Sequence, residues 1–459
     1  MPKKNEILTL KIENITNLGF GVARYEGLVI FVAGAVTGDE IVAKIIKVTS
    51  SYAIARVEKV LISSPLRVND RCGYDRCTSC AYKLISYAEE CKIKENYVKE
   101  TFIKEGLRDA VVSEIVPSPK ISEYRNKAQY PITKNADGEY IIGYYAPKSH
   151  RVCEARFCPL TPRVFGEICD TVATFAKKYA ISVYDEESGD GLLRHVYIRR
   201  GEVTGEILLT LVINGDTLPF SEALCADIRE KFSDIVGILI NVNREKTNII
   251  LGKEYKALWG RDYIYDVLAG VRLKIKPSAF YQVNHAAAEL LYKKAGELAD
   301  LKGGEVLLDL YCGTGSIGLS MAKGAKSLIG VEIVEDAVAC ARENAKESGI
   351  ENALFFASPA SNTEQIFKNA EQKLGKIAPD VVILDPPRSG CDEATVKFVA
   401  GLNPEKIIYI SCNPQTLARD VKLFTTLGYT FGNITPFDLF PATGHVESVV
   451  CLTQSNKAT

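Results

Sequence analysis

Short Val/Ile-rich segments separated by glycines run from residue 8 to residue 62: "LKIENIT", "GFGVARYEGLVIFVAGAVTGDEIVAKIIKV" and "YAIARVEKV". This spacing predicts about five strands of a small barrel, an arrangement that hides its own edges. "SSPLR" breaks the pattern. Residues 84–105 mix acidic and basic positions at helical spacing. Between 124 and 265, strand-like segments ("AQYPIT", "GEYIIGYY", "RHVYIRRG", "EILLTLVING", "VGILINVNR") interleave with a helix over 162–179, which predicts an α+β unit. Beyond "VRLKIKPSAFYQVN" the rhythm changes. A helix over 285–301 is followed by the apolar runs "EVLLDLY", "SLIGVEI", "DVVILDPP" and "KIIYISC", each separated from the next by helical spacing. Continuous apolar strands alternating with helices predict a parallel, doubly wound sheet.

A chain of 459 residues is too long for one core and points to about three domains. No run of ~18 apolar residues is present, and "MPKKNEILTLKIEN" lacks the apolar stretch of a signal peptide. The expectation is a cytoplasmic protein with no membrane partner. In that compartment the 13 cysteines suggest metal binding, catalysis or plain burial rather than disulfides. A net charge of −1 means that any nucleic-acid surface must be local.

Candidate chemistry collects at the ends of the predicted parallel strands. "VLLDLYCGTGSIG" ends a strand and opens a helix, with Gly313, Gly315 and Gly318 as G-x-G-x-x-G. Alone this could hold a dinucleotide or be a glycine turn. Asp309, four residues before the first glycine, makes the stretch similar to the D-x-x-x-G-x-G motif of class I methyltransferases. Glu332 ends the next strand, where a carboxylate can take both ribose hydroxyls. Both acids are expected to face the crevice at the sheet's carboxyl edge. Asp385 in "ILDPPRSG" and Cys412 in "YISCNP" end two further strands. A D-P-P motif also serves amino-methylating enzymes, which need no cysteine, and Cys412 by itself could be a small buried hydrophobe. Cys72, Cys77 and Cys80 form C-x4-C-x2-C, with more cysteines at 91, 153 and 158; such soft donors suit zinc or an iron-sulfur centre.

"SAFYQVN", "DLYCGTGSIGL", "GVEI", "ILDPPRSG", "YISCNPQTLARD" and "FPATGHVESVV" occur in this order, and "YRNKAQYP", "LLRHVYIRRG" and "NIILGKEY" precede or adjoin them. Together they resemble the RNA uracil-5-methyltransferase family, over nearly the whole chain. Within it the likeness is greatest to the 23S ribosomal RNA (uracil-5-)-methyltransferases with a TRAM domain and an iron-sulfur site; "NLGFGVARYEG", "VIFVAGAVTGDEI" and "SSPLR" resemble TRAM. The resemblance implies an α/β, class I Rossmann-like methyltransferase domain at 269–459, an OB-like TRAM barrel that binds RNA at 1–62, and an α+β middle domain at 63–268. The helical part of that middle domain near 84–115 is expected to pack on the catalytic domain. It implies S-adenosylmethionine as methyl donor, held by Phe280, Gln282, Asp309, Tyr311, Gly313, Gly315, Glu332 and Asp385. Cys412 is implied as the nucleophile, Glu447 as the base and Asp385 as the uracil contact. Read without the family, Glu447 is a surface strand residue and His445 the better base. The resemblance further implies a [4Fe-4S] cluster on Cys72, Cys77, Cys80 and Cys158. The first cysteine spacing is one residue shorter than the family's, so Cys153 or Cys91 remains a substitute ligand and zinc an alternative. "LFFASPASNTE" departs from the family where an adenine contact would lie. An RNA substrate and a monomer without protein partners are expected. Two other readings stay open: a transfer RNA T-loop methyltransferase, and a catalytically silent RNA-binding protein, against which Cys412, Glu447 and Asp385 argue.

Overall fold

The computed structural model describes residues 1–74, 77, 79–146, 149–360 and 378–455. Part of the "LFFASPASNTE" departure, from 361 on, lies outside the described residues.

The first unit is a six-stranded sheet: β1 (Ile7–Lys11), β2 (Asn14–Ile15), β3 (Phe20–Tyr25), β4 (Leu28–Ala33), β5 (Glu40–Val48) and β6 (Tyr52–Ile62), in the order β1-β5-β6-β4-β3-β2. Alternate residues such as Ile41, Ala43 and Ile45 turn inward to one core, as period-2 patterning requires. Six strands form where five were expected, because the two-residue β2 is too short to leave a periodic signal.

The second unit holds β7 (Lys127–Lys134), β8 (Tyr140–Tyr145), β9 (Val152–Glu154), β10 (Leu193–Arg200), β11 (Ile207–Ile213), β12 (Ile235–Val242) and β13 (Glu254–Gly260), in the order β13-β12-β11-β10-β7-β8-β9. Helices Arg163–Lys178 and Ser221–Lys231 bury their apolar stripes on it.

β14 (Ile264–Leu268) and β15 (Val271–Ile275) form a hairpin whose turn residues Ala269 and Gly270 both have positive φ, the type I′ geometry. Its Ile264, Leu268, Val271 and Leu273 belong to the core of the third unit, so the boundary expected at 268/269 runs through the middle of a hairpin, and the change of core falls between β13 and β14. The third unit continues with helix His285–Ala299, then β16 (Val306–Leu310), β17 (Ser327–Glu332), β18 (Ala353–Ala357), β19 (Val381–Leu384), β20 (Lys406–Ser411), β21 (Tyr429–Phe431), β22 (Thr435–Phe437) and β23 (Glu447–Gln454). The order is β18-β17-β16-β19-β20-β23-β21, with β22 also on β23; β16 to β20 are parallel and β23 runs against β20. Apolar clusters cover both faces of this sheet.

Helix Tyr87–Lys104, though distant in sequence, packs Val98 and Phe102 into one of those clusters. Its charged side is not simply a solvated face. Lys94 is 1% exposed and bonds Glu90 at 2.8 Å, Asp438 at 2.7 Å and the Phe440 carbonyl at 3.1 Å. No helix among the described residues is long and apolar enough to cross a membrane.

Candidate active site

Strand register builds the reactive corner. β20 and β23 pair antiparallel through Ser411↔Ser448, so one residue further on Cys412 stands across from Glu447. β19 is β20's parallel neighbour, with Leu384 beside Tyr409, and Asp385 therefore leaves the sheet at the same edge. Immediately after Cys412, Asn413 caps helix Pro414–Thr426: its side-chain oxygen accepts from the Gln415 amide at 3.1 Å, and Pro414 fills the first helical position, where no amide is missed. The thiol is thus held between a strand end and a helix N-terminus, whose partial positive charge favours a thiolate. Asn413 Nδ2 also donates to the Arg388 carbonyl at 3.0 Å, which ties the 385–390 loop to this helix.

Electrostatically the corner is under tension. Burial pushes Glu447 up to about 8, and the charge of Asp385 adds to that while Arg388 opposes it. Asp385 is pushed up to about 7 by burial alone. Cys412 is pushed up to about 11, first by burial, then by Glu447, with Asp385 acting the same way and Arg388 against it. Glu447 is 5% exposed, so it is not the surface strand residue that its local pattern suggests. His445 lies on the exposed rim, edge-on to Phe440.

Next to this corner, Phe280, Gly313, Thr314, Glu332, Val334 and Asp336 line an open cleft of about 360 Å³. Phe280 is 65% exposed, with its side chain in the cleft wall. Glu332 accepts from the Gly313 amide at 3.1 Å and the Val334 amide at 3.0 Å, which fixes its carboxylate at the tip of β17. Gln282 is buried, and its carbonyl takes the Asn126 side chain. Tyr311 has φ 64°, an uncommon conformation for a bulky residue and one that clusters at working sites. Gly315, at φ 81°, caps helix Ser316–Met321 where a Cβ would meet Leu319, Phe355 and Ala341 at 3.1–3.2 Å.

Asp309 departs from expectation. It is fully buried beneath the glycine loop, not in the crevice, and its Oδ2 accepts from the Gly318 amide at 3.0 Å. A Cβ on Gly318 would lie 2.7 Å from that oxygen, so the third glycine lets the helix sit down on the aspartate. Asp309 Oδ1 has no partner among the described residues, and burial pushes the group up to about 8. Tyr292 gave no signal in the sequence beyond a core position of a helix. Its hydroxyl meets Ser316 Oγ at 2.8 Å, and it lies within the fields of Asp385 and Asp309. Val334 and Asp336 were also missed; only their place just after the strand-end acid could have marked them.

The four expected metal-site cysteines share one neighbourhood. Cys80 hydrogen-bonds Cys72, which brings Cys72 down to about 6 and drives Cys80 the other way, and Cys158 feels both Cys72 and Cys77. A set of soft thiols from two chain segments fits an iron-sulfur centre or zinc in its chemistry. Among the described residues, however, no three Cys, His, Asp or Glu side chains close on one point. Cys153 packs with Cys77, and Cys91 lies apart from them beside Tyr87.

Known proteins resemble this chain over nearly its whole length. Residues 205–455 match the family model described as tRNA (Uracil-5-)-methyltransferase, and residues 3–57 match the TRAM domain. A protein of Clostridium tetani (strain Massachusetts / E88), described as an uncharacterized RNA methyltransferase, is 38% identical over 452 residues, covering 98% of this chain and 97% of its own. A protein of the same description from Listeria innocua serovar 6a is 36% identical over 453 residues, with 98% of both chains covered. Among solved structures, the Pyrococcus abyssi tRNA (uracil-54, C5)-methyltransferase bound to S-adenosyl-L-homocysteine superposes with a TM-score of 0.78 at 29% identity, covering 97% of this chain and 100% of that one.

Proposed function

We propose, from the premise that this chain belongs to the tRNA (uracil-5-)-methyltransferase family and is an S-adenosylmethionine-dependent RNA methyltransferase, that it methylates carbon 5 of one specific uridine in 23S ribosomal RNA through a transient bond from Cys412 to carbon 6. The observation that carries the covalent route is the register that sets Cys412 across from Glu447 with Asp385 and Arg388 in the same field.

Carbon 5 of uracil is too weak a nucleophile to attack a sulfonium directly. Thiolate addition to carbon 6 opens the 5,6 double bond and places the electron pair on the enolate of O4 and carbon 5. Carbon 5 then takes the methyl group, and the broken carbon–sulfur bond leaves S-adenosylhomocysteine. Glu447 removes the proton from carbon 5, the double bond returns, and Cys412 departs as thiolate. The same environment serves each step. Protonation of Asp385 removes one charge that opposes ionisation of Cys412, and Arg388 favours it; Glu447 is the carboxylate that takes the carbon 5 proton, and its raised proton affinity suits that task. Asp385, poised near neutrality, can donate to a uracil carbonyl as well as accept from its N–H. Because a thiol must reach carbon 6 from one face with the donor near carbon 5, the uridine has to leave its stack.

The test is mass mapping of 5-methyluridine in RNA from cells lacking the gene. Loss from 23S RNA at one position supports the reading. Loss from tRNA alone would favour the second reading, a tRNA uridine, which rests on the tRNA-modifying P. abyssi protein having a matching fold over the full length. We further assign Cys72, Cys77, Cys80 and Cys158 to a [4Fe-4S] cluster, a reading supported by the soft donor set and the hydrogen bond between the free thiols of Cys72 and Cys80. Protein purified without oxygen should then contain about four irons; stoichiometric zinc without iron would replace that assignment. Methyl transfer needs no redox step, so the thiols' task is to hold the 72–80 segment against Cys158.

A further inference from the structure

In the pairing of β7 with β10, Lys127 lies directly opposite Arg199. Directly paired residues leave the same face of a sheet, and like charges placed so repel. Arg125 stands two residues before Lys127 in a stretch where burial alternates, with Tyr124, Asn126 and Ala128 inward and Arg125 and Lys127 partly exposed, so it joins that face. Among the described residues, no carboxylate is among the main charges acting on Arg125 or Lys127. After burial, the charges that pull the Lys127 ammonium down to about 8 are those of Arg199 and Arg125. The neighbours acting on Arg125 are the phenols of Tyr124 and Tyr144 and the Cys158 thiol. Arg199 is 1% exposed and donates to the Tyr197 hydroxyl and the Pro277 and Ala279 carbonyls, while its Nη1 has no partner among the described residues.

These cations border the crevice. Ala279 precedes Phe280 in the cleft wall, the Asn126 side chain holds the Gln282 carbonyl, and the fields of Arg125 and Arg388 meet at His445. A like-charge pair held in register by two strands is a standing cost in the free protein, and a bound polyanion removes it. The geometry points to Arg125 and Lys127, backed by the buried charge of Arg199, as a seat for a backbone phosphate of the RNA strand that presents its uridine to Cys412. This deepens the reading of the crevice as an RNA site and rests on it. Phosphate contacts of this kind set register and orientation while leaving sequence unread.

The experiment compares wild type with Lys127→Gln and Lys127→Arg. Binding of a fluorescein-labelled oligouridylate of about 20 nucleotides is followed across salt concentrations, beside calorimetric titration with S-adenosylhomocysteine and thermal melting without ligand. Expected for Lys127→Gln are weaker RNA binding, a salt slope shallower by about 0.7, unchanged S-adenosylhomocysteine affinity and a higher melting point, because the repulsion has gone. Lys127→Arg should keep the slope. An unchanged slope, or a lower melting point from a merely structural lysine, would overturn the proposal; loss of S-adenosylhomocysteine affinity would instead give the seat to the donor's carboxylate and overturn it too. Wild type that methylates no cellular RNA, yet loses salt slope on Lys127→Gln, would sink the functional reading while supporting the seat.

Discussion

Two sets of buried charges draw on the same stretch of chain, at Asp438 and at Glu447, and have opposite constructions. Around Lys94 the ammonium has two carboxylates and a carbonyl, Glu90 Oε1 also takes the Ala442 amide at 2.6 Å, and Arg71 reaches Glu90 Oε2 at 3.2 Å. At the reactive corner, by contrast, no hydrogen bond from a described residue acts on Asp385 or Glu447, and both stand well above the ordinary carboxylate range. The first set is built on ion pairs, with Asp438 Oδ2 its one oxygen that lacks a partner among the described residues, and it pins helix Tyr87–Lys104 to residues 438–442, the stretch leading to Glu447. The second is left unsatisfied at the point where a reacting base must be met. Paired burial marks scaffold; unpaired burial marks chemistry.

The largest expected break falls on the unpaired side. Cys412→Ala should abolish 5-methyluridine formation and the RNA–protein adduct, since among the described residues no other thiol stands across from Glu447, while S-adenosylhomocysteine binds as before. Turnover by this variant above background in a labelled-methyl assay would remove the covalent route. On the paired side the loss is in stability. Lys94→Met leaves Asp438 buried without its cation and Glu90 with Arg71 alone, and removing one partner of such a pair costs about 3–5 kcal/mol. Urea unfolding should show it, with the wild-type m-value retained. A loss under ~1 kcal/mol would mean that the network is less closed than its distances indicate.

Glu447→Gln sharpens the contrast because it should impair function and improve stability. Without a base the carbon 5 proton stays, and a methylated RNA–protein adduct should survive a denaturing gel. In the folded protein Glu447 titrates near 8, against ~4.3 in an unfolded chain, so folding binds a proton between these values. The stability this group permits is therefore complete below about pH 4 and is lost as pH rises through 8. The variant should flatten that decline and gain on the order of 2 kcal/mol at pH 8, allowing for solvent relaxation. Melting curves at pH 5 and pH 8 decide it: equal shifts at both would mean that the charge of Glu447 is not the cause.

Much of this contrast was hidden in the sequence for a physical reason. The parallel strands are buried on both faces, so β16, β17, β19 and β20 stand out as unbroken apolar runs, and Asp385, Cys412 and Glu332 were placed correctly at their ends. Periodicity speaks of neighbours a few residues apart. Lys94 and Asp438 are 344 positions apart, and a polar helix whose charges meet a distant loop reads like one facing water. Asp309 failed differently: it sits one residue before the end of β16, where the strand's alternation turns its side chain under the loop. Its orphaned oxygen and the fit against Gly318 exist only in three dimensions. Likewise the boundary expected at 268/269 gives β14 to the middle domain and β15 to the catalytic one until the hairpin's apolar side is seen to face the catalytic core.

The smallest expected effect concerns how the N-terminal unit touches the reactive corner. The turn between β2 and β3 lies on the stretch that leads to Glu447: the Tyr82 hydroxyl donates to the Asn17 carbonyl at 2.8 Å, and the Tyr82 amide donates to the Ala442 carbonyl at 3.1 Å. A Cβ on Gly444 would stand 2.1 Å from that same Asn17 oxygen. Gly444 is not among the positive-φ residues, so alanine there meets a steric obstacle and no backbone one. Gly444→Ala can be housed only by moving the Asn17 turn or the 441–445 segment, an overpacking cost of about 1–3 kcal/mol. Expected is a severalfold fall in kcat with the RNA KM changed less, because the base is displaced while the phosphate contacts remain. In a chain lacking residues 1–62 the obstacle is gone, so the same substitution should have no further effect on kcat or stability. If Gly444→Ala costs as much in the truncated chain as in the full one, the β2–β3 turn does not position Glu447, and the N-terminal unit acts through RNA affinity alone.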